Sequence, residues 1–224
     1  MSENDSLRKT YLLVIERLRP RPFFGRFATL ITTPIAWAIA FAQRVMGGRA
    51  VHPYANCVHV GLANGSFLDP VGIDVIESTH DEDASGNSGV QKRSLFRTLR
   101  RYERGKFRIY LVPVAVPAAG DAMWAQASRF IGREYDVLGA LRAGIDGFEG
   151  IGIGDADGDA QRLFCSEMVA AAAVLGWLPK ASPREWVRAF FFDPKRPSEQ
   201  TPADVCSWPV WAWRDKINAL TLFR

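Results

Sequence analysis

The 224-residue chain has only three cysteines and three histidines. Cys57, Cys165 and Cys206 are odd in number and widely spaced, with no Cys-x-x-Cys pair. That excludes a zinc ribbon and a thioredoxin-type motif, and no disulfide framework is expected. Glycine and proline are present at ordinary levels, 19 and 13 residues, which excludes collagen-like and linker-like chains. No internal repeat or low-complexity tract occurs. A long apolar run is also missing. The most apolar stretch, Phe27 to Gln43, is flanked by Arg26 and Arg44 and interrupted by Pro34 and several threonines. It falls short of the roughly 20 apolar residues of a spanning helix. It is expected to be a buried helix with Pro34 in its first turn, with a peripheral membrane contact as the alternative. The N-terminal MSENDSLRKT is polar and lacks the apolar region of a secretory signal. The expected location is therefore cytoplasmic or particle-associated.

Charge of one sign is not in large excess. Lys plus Arg number 28 and Asp plus Glu 24, a net charge of +4. Between Lys92 and Arg108, eight basic residues face the single acid Glu103. With no zinc-finger spacing or aromatic-interleaved motif beside it, this run is read as a solvated face and no nucleic-acid partner is expected. What the chain does have is core material. Hydrophobic residues make up 48% and charged residues 23%. A chain of this length buries roughly 70% of its unfolded surface, so one domain over residues 1–224 is expected to fold without a metal or cofactor.

The order of elements is mixed. Tyr11 to Ile15, Val58 to Ala63, Val71 to Glu77 and Phe107 to Val116 have strand patterns, with Pro113 pointing to an edge or bulge in the last. Asn64–Gly65 is a turn signal, so the second and third runs suggest a hairpin with a longish connection. Residues 78–90 form a polar loop. Helices are expected over 34–46, over Leu95 to Tyr102, over Asp121 to Ile131 with Gly132 as its stop, from Asp136 to Arg142, over Cys165 to Leu175 and near Trp211 to Leu220. Gly176 fits the left-handed position after the fifth of these. Strands in the middle with helices around them make the fold class α+β. Residues 1–50 contribute an N-terminal strand and the apolar helix.

The chemistry centres on Cys165. At the start of a helix its sulfur meets free backbone N–H groups and the positive end of the helix dipole, which favour a thiolate. The same N–H groups suit an oxyanion. A thiol nucleophile also needs a base and a group to orient it. His59 lies in a strand and Glu77 at the end of the next, where pairing can bring carboxylate and imidazole together. Asp74 is the alternative carboxylate. An inert core cysteine, a satisfied core histidine and a solvated strand end are the bland alternatives. Cys57 is read as core, and Cys206 has no base assigned.

Several segments carry a resemblance. HVGLA at 59–63, followed by VIES at 75–78, resembles the histidine motif of NlpC-type cysteine peptidases. FCSEMVAAA at 164–172 resembles their cysteine helix in reversed order. GREYD at 132–136, the CSE triplet at 165–167 and TPAD at 201–204 are similar to motifs of the YiiX-like branch. The order is that of the circularly permuted papain-like group, which includes the lecithin retinol acyltransferase-like proteins. The matches span about residues 55–207. YLLVI at 11–15 lacks the Gly-Asp dipeptide that often precedes the group's first strand.

The resemblance implies a permuted papain-like (NlpC-type) fold, with an antiparallel sheet packed against the cysteine helix. It also implies Cys165 as nucleophile, His59 as base and Glu77 as orienting group, with Tyr135 and Asp136 at the substrate wall. The implied activity is hydrolysis of amide bonds through an acyl-enzyme, in a peptidoglycan peptide or related peptide. A lipid acyltransferase or lipase using the same thiol is one alternative, and a non-catalytic module that retains the fold is another. No metal site is expected. His80 with its acidic neighbours is read as a polar loop. Asp155, Asp157 and Asp159 lack the glycine and glutamate of a calcium loop, with Ala160 and Ser166 in those places.

Overall fold

The computed structural model describes residues 9–18, 54, 56–81, 86, 88–102, 106–136, 162–181 and 200–223. The expected helix over 34–46, the expected helix from Asp136 to Arg142 apart from Asp136 itself, and the Asp155–Asp159 loop lie outside them.

The fold is α+β, as the order of elements implied. Strands β1 (Lys9–Arg17), β2 (Cys57–Ser66), β3 (Asp69–Thr79), β4 (Gly89–Ser94), β5 (Phe107–Pro113) and β6 (Ile217–Asn218) form one antiparallel sheet in the order β4-β3-β2-β1-β5-β6. The α-helices are α1 (Leu95–Arg100), α2 (Pro117–Ser128), α3 (Cys165–Gly176) and α4 (Pro202–Ser207). β1 is central, and its YLLVI run is buried throughout because both sheet faces are covered. Leu12, Val14, Val60, Leu62 and Ile76 pack with Met123 of α2, Met168 and Val169 of α3 and Val205 of α4. On the other face Leu13, Ile15, Ile73 and Val75 pack with Leu95 and Leu99 of α1 and with Leu220 and Leu222. Burying Met168 and Val169, both 0% exposed, contributes about 1.5–3 kcal/mol each.

Several expectations need correction. The β2–β3 turn is Phe67–Leu68, since Ser66 pairs with Asp69. Asn64–Gly65 lies inside β2 at a register irregularity, and the connection is tight. The Ser66 hydroxyl accepts from the Leu68 N–H at 3.2 Å, which stabilises this tip without the glycine turn. Residues 78–90 are only partly loop. Gly89 and Val90 open β4, which pairs along β3 from Thr79 to Asp74. Its GVQKRS sequence lacks an alternating apolar pattern, and pairing alone makes it a strand. Pro113 sits at the end of β5 opposite Tyr11, so β5 stops there. α2 begins at Pro117 and ends at Ser128, before Gly132. Between Trp211 and Leu220 lie two 3-10 turns and β6, and no α-helix.

Gly176 belongs to the last turn of α3, and Trp177 after it is right-handed. Its need for glycine comes from packing. A Cβ there would lie 2.5 Å from the Ala122 carbonyl oxygen, so the missing side chain lets α3 lie against α2.

Candidate active site

α3 starts at Cys165, and the chain enters it from Phe164 in extended conformation. Two buried contacts fix this start. The Ser78 hydroxyl donates to the Leu163 carbonyl, joining the end of β3 to the approach to the helix. The Ser166 hydroxyl donates to the Gln200 carbonyl at 2.6 Å. Gln200 precedes Thr201, whose side chain caps α4 while Asp204 accepts from the Thr201 N–H at 2.8 Å. The TPAD segment is thus a capping box, and its neighbour braces the cysteine helix.

The structure brings Cys165, His59 and Glu77 together. His59 hydrogen-bonds the Cys165 sulfur, and the backbone N–H groups of Val60 and Ser166 donate to it as well. On its other side the ring places Nε2 2.9 Å from Glu77 Oε2. With Nε2 occupied, Nδ1 is the nitrogen left for sulfur. Gly61 leaves room beside Glu77, since a Cβ there would lie 3.2 Å from Glu77 Cβ and 3.0 Å from the Ile76 carbonyl oxygen. Cys165 is 2% exposed, whereas the His59 side chain keeps 13% of its surface. Solvent therefore meets the pair on the imidazole side.

The electrostatics favour an ion pair. Burial alone pushes the His59 pKa down, but the Cys165 sulfur and the Glu77 carboxylate outweigh it and push it up to about 10. Burial likewise opposes a thiolate at Cys165, yet the imidazolium charge, its hydrogen bond and the N–H groups of Val60 and Ser166 lower the thiol below its ordinary value. For Glu77, burial is overcome by His59 first and then by Arg101, which lower its pKa.

Glu77 is fully buried, and both its oxygens are engaged. Oε1 accepts from Arg101 Nη1 at 2.7 Å and from the Thr98 hydroxyl at 3.2 Å. Arg101 is the residue the sequence reading missed, because it stands within a basic run expected to face solvent. The only sequence signal was its place two residues after Leu99, at the end of a short helix with apolar positions Leu95 and Leu99. Asp74, the alternative carboxylate, pairs with Lys92 at 2.9 Å near the surface and is not part of the constellation.

GREYD runs beside the approach to α3. Glu134 bridges Arg162 in parallel, and the Leu163 N–H donates to the Glu134 carbonyl at 2.9 Å. This sets Tyr135 within electrostatic reach of Cys165. Burial first, and then the Cys165 charge, push its phenol well above the ordinary value. Its ring also lies 6.1 Å from that of His80. Asp136 directs its N–H toward the Leu163 carbonyl at 3.5 Å. Cys57 and Cys206 are core thiols 3.3 Å apart. Among the described residues no cluster of His, Cys, Asp or Glu could hold a metal ion, and no helix is long and apolar enough to cross a membrane. A cavity of about 600 Å³ at the hairpin end of the sheet, lined by Lys9, Phe67 and Asp121, holds no cysteine or histidine.

A nucleophile with a lowered pKa, a base fixed by a buried carboxylate and N–H donors at a helix start can together form and break a thioester. No family model matches the chain, and no curated protein or solved structure matches it significantly.

Proposed function

We propose that the protein is a cysteine hydrolase acting on amide bonds, with Cys165 as nucleophile, His59 as base and Glu77 as orienting group. The observation that carries this reading is the contact of one imidazole with both the Cys165 sulfur and the buried Glu77 carboxylate. The Cys165 thiolate attacks the amide carbonyl carbon, and the N–H groups at the start of α3 hold the oxyanion. The imidazolium then gives its proton to the leaving nitrogen, leaving a thioester on Cys165. Water, deprotonated by His59, attacks the thioester carbonyl and restores the thiol. Expulsion of an amine requires that proton, and the imidazolium held by Glu77 is placed to supply it.

The substrate we propose is a peptide, of peptidoglycan stem type or related, taken beside Tyr135 and Asp136. The fold reading that accompanies it is the permuted papain-like one. The antiparallel sheet, the cysteine helix packed on it and the His–Glu–Cys order support that reading. A pulse of iodoacetamide followed by peptide mass spectrometry tests the nucleophile, and label should enter Cys165 far faster than Cys57. Acyl-amide probes should then leave a covalent adduct on Cys165. Equal slow labelling of the two thiols would refute the proposal.

A further inference from the structure

We propose that Arg101 is a positioning residue of this thiol site, holding Glu77 against His59 and tying that carboxylate to the turn beside Tyr135. The inference rests on Cys165, His59 and Glu77 being the reacting set.

Arg101 follows the last residue of α1 and turns inward, with its side chain 19% exposed. Nη1 donates to Glu77 Oε1 at 2.7 Å. Nη2 donates to the Thr79 hydroxyl at 2.6 Å and to the Asp81 carboxylate. A planar guanidinium fixes these three acceptors relative to one another, which a lysine ammonium on a flexible stem does less well. Glu77 has no exposed surface. An ionised carboxylate in such a place needs an opposite charge and hydrogen-bond donors to offset its desolvation. His59 serves Oε2 and Arg101 serves Oε1, beside the neutral hydroxyl of Thr98.

The second branch of the fork reaches the substrate side. Asp81 meets His80 at 3.3 Å, the His80 and Tyr135 rings lie 6.1 Å apart, and Tyr135 is within electrostatic reach of Cys165. One side chain thereby sets the orienting acid and the neighbouring wall together. Other charges also face this cluster. Arg93 approaches Glu77 from β4, with its guanidinium hydrogen-bonded to Gln91 and to the Asp81 carbonyl. Tyr102 adjoins Glu77 and Arg101 from beyond α1. Cys165 is faced by His59, Tyr135 and, more remotely, Cys206.

The test is the rate of Cys165 alkylation by iodoacetamide, read by mass spectrometry across acid to alkaline pH. In the wild type the rate should rise at acid pH and reach a plateau. In Arg101→Met the rise should move up by at least about one pH unit, because loss of a nearby cation disfavours two buried anions. Arg101→Lys should bring it most of the way back. In a Glu77→Gln background Arg101→Met should add little, since the residue acts through Glu77. If Arg101→Met melts below the assay temperature, Arg101→Gln replaces it with the same shift expected. A variant profile that superimposes on the wild type, or a shift that persists undiminished without Glu77, overturns the proposal. A wild-type Cys165 no more reactive than Cys57 would instead sink the underlying thiol reading.

Discussion

His59 Nε2 and Glu77 Oε2 lie 2.9 Å apart although their residues stand on adjacent strands and do not pair across the ladder. Leu62 pairs with Ile76, so Glu77 stands level with Gly61 and His59 lies two residues beyond. The bond therefore spans a diagonal, which long side chains reach. It orients the ring so that its other nitrogen is free for Cys165.

Removing the sulfur should lower the His59 titration midpoint. The sulfur is the first of the groups that raise it, ahead of Glu77. In Cys165→Ala, imidazole NMR should show a midpoint well below that of the wild type. Stability counts both protons of the pair. The raised His59 would lose stability as pH rises from 6.5 through about 10, but the lowered Cys165 thiol contributes the opposite sign, so with Cys165 ionised the folded and unfolded pairs hold one proton alike between 6.5 and 9. The wild-type urea midpoint should therefore gain little pH dependence from this pair across that window. An unchanged His59 midpoint would show that thiol and imidazole do not interact.

Glu77→Gln should be far more costly than Asp74→Asn. The first leaves Arg101 buried beside a neutral amide, and breaking such a pair destabilises by about 3–5 kcal/mol. It also removes the charge that supports the imidazolium, so Cys165 alkylation at neutral pH should fall at least about tenfold. Asp74 pairs with a half-exposed Lys92, and its loss should change stability by less than about 1 kcal/mol. Urea unfolding and a labelling time course measure both. Similar effects for the two would move the orienting role away from Glu77.

The site was legible where a residue type and its local position carried the chemistry. Cys165 at a helix start, His59 within a strand and Glu77 near the end of the next were readable as such, and the three meet. Arg101 was not, because a basic run looks the same in sequence whether one member turns inward or all face water. β4 was hidden because its apolar content is low and only its partner β3 makes it a strand. Gly176 was readable as glycine, but its reason was a contact with α2 more than forty residues away in the chain. Local pattern does not carry such long-range packing.

Ser166→Ala should loosen the brace between α3 and α4. Its hydroxyl makes a buried 2.6 Å bond to the Gln200 carbonyl, worth about 1 kcal/mol. For a chain of this size the melting temperature should fall by roughly 2–4 °C. The Ser166 N–H, which donates to the Cys165 sulfur, is retained, so labelling of Cys165 should slow only modestly. A large loss of Cys165 reactivity with an unchanged melting temperature would mean that the hydroxyl acts in the chemistry and the brace is incidental.

Gly61→Ala tests the geometry from the backbone side. The added methyl would sit 3.0 Å from the Ile76 carbonyl oxygen and 3.2 Å from Glu77 Cβ, closer than ordinary van der Waals contact. The carbonyl belongs to the sheet ladder and yields little, so Glu77 must shift. A displacement of a few tenths of an ångström lengthens its bond to His59 and weakens the imidazolium. Overpacking of this kind costs about 1–3 kcal/mol, and Cys165 alkylation at neutral pH should fall alongside stability. Glu77→Gln combined with Gly61→Ala separates the two effects. Once the carboxylate is gone, the alanine should still lower stability but should no longer change the reactivity of Cys165. If the reactivity losses simply add, Gly61 acts on the thiol by some route other than Glu77.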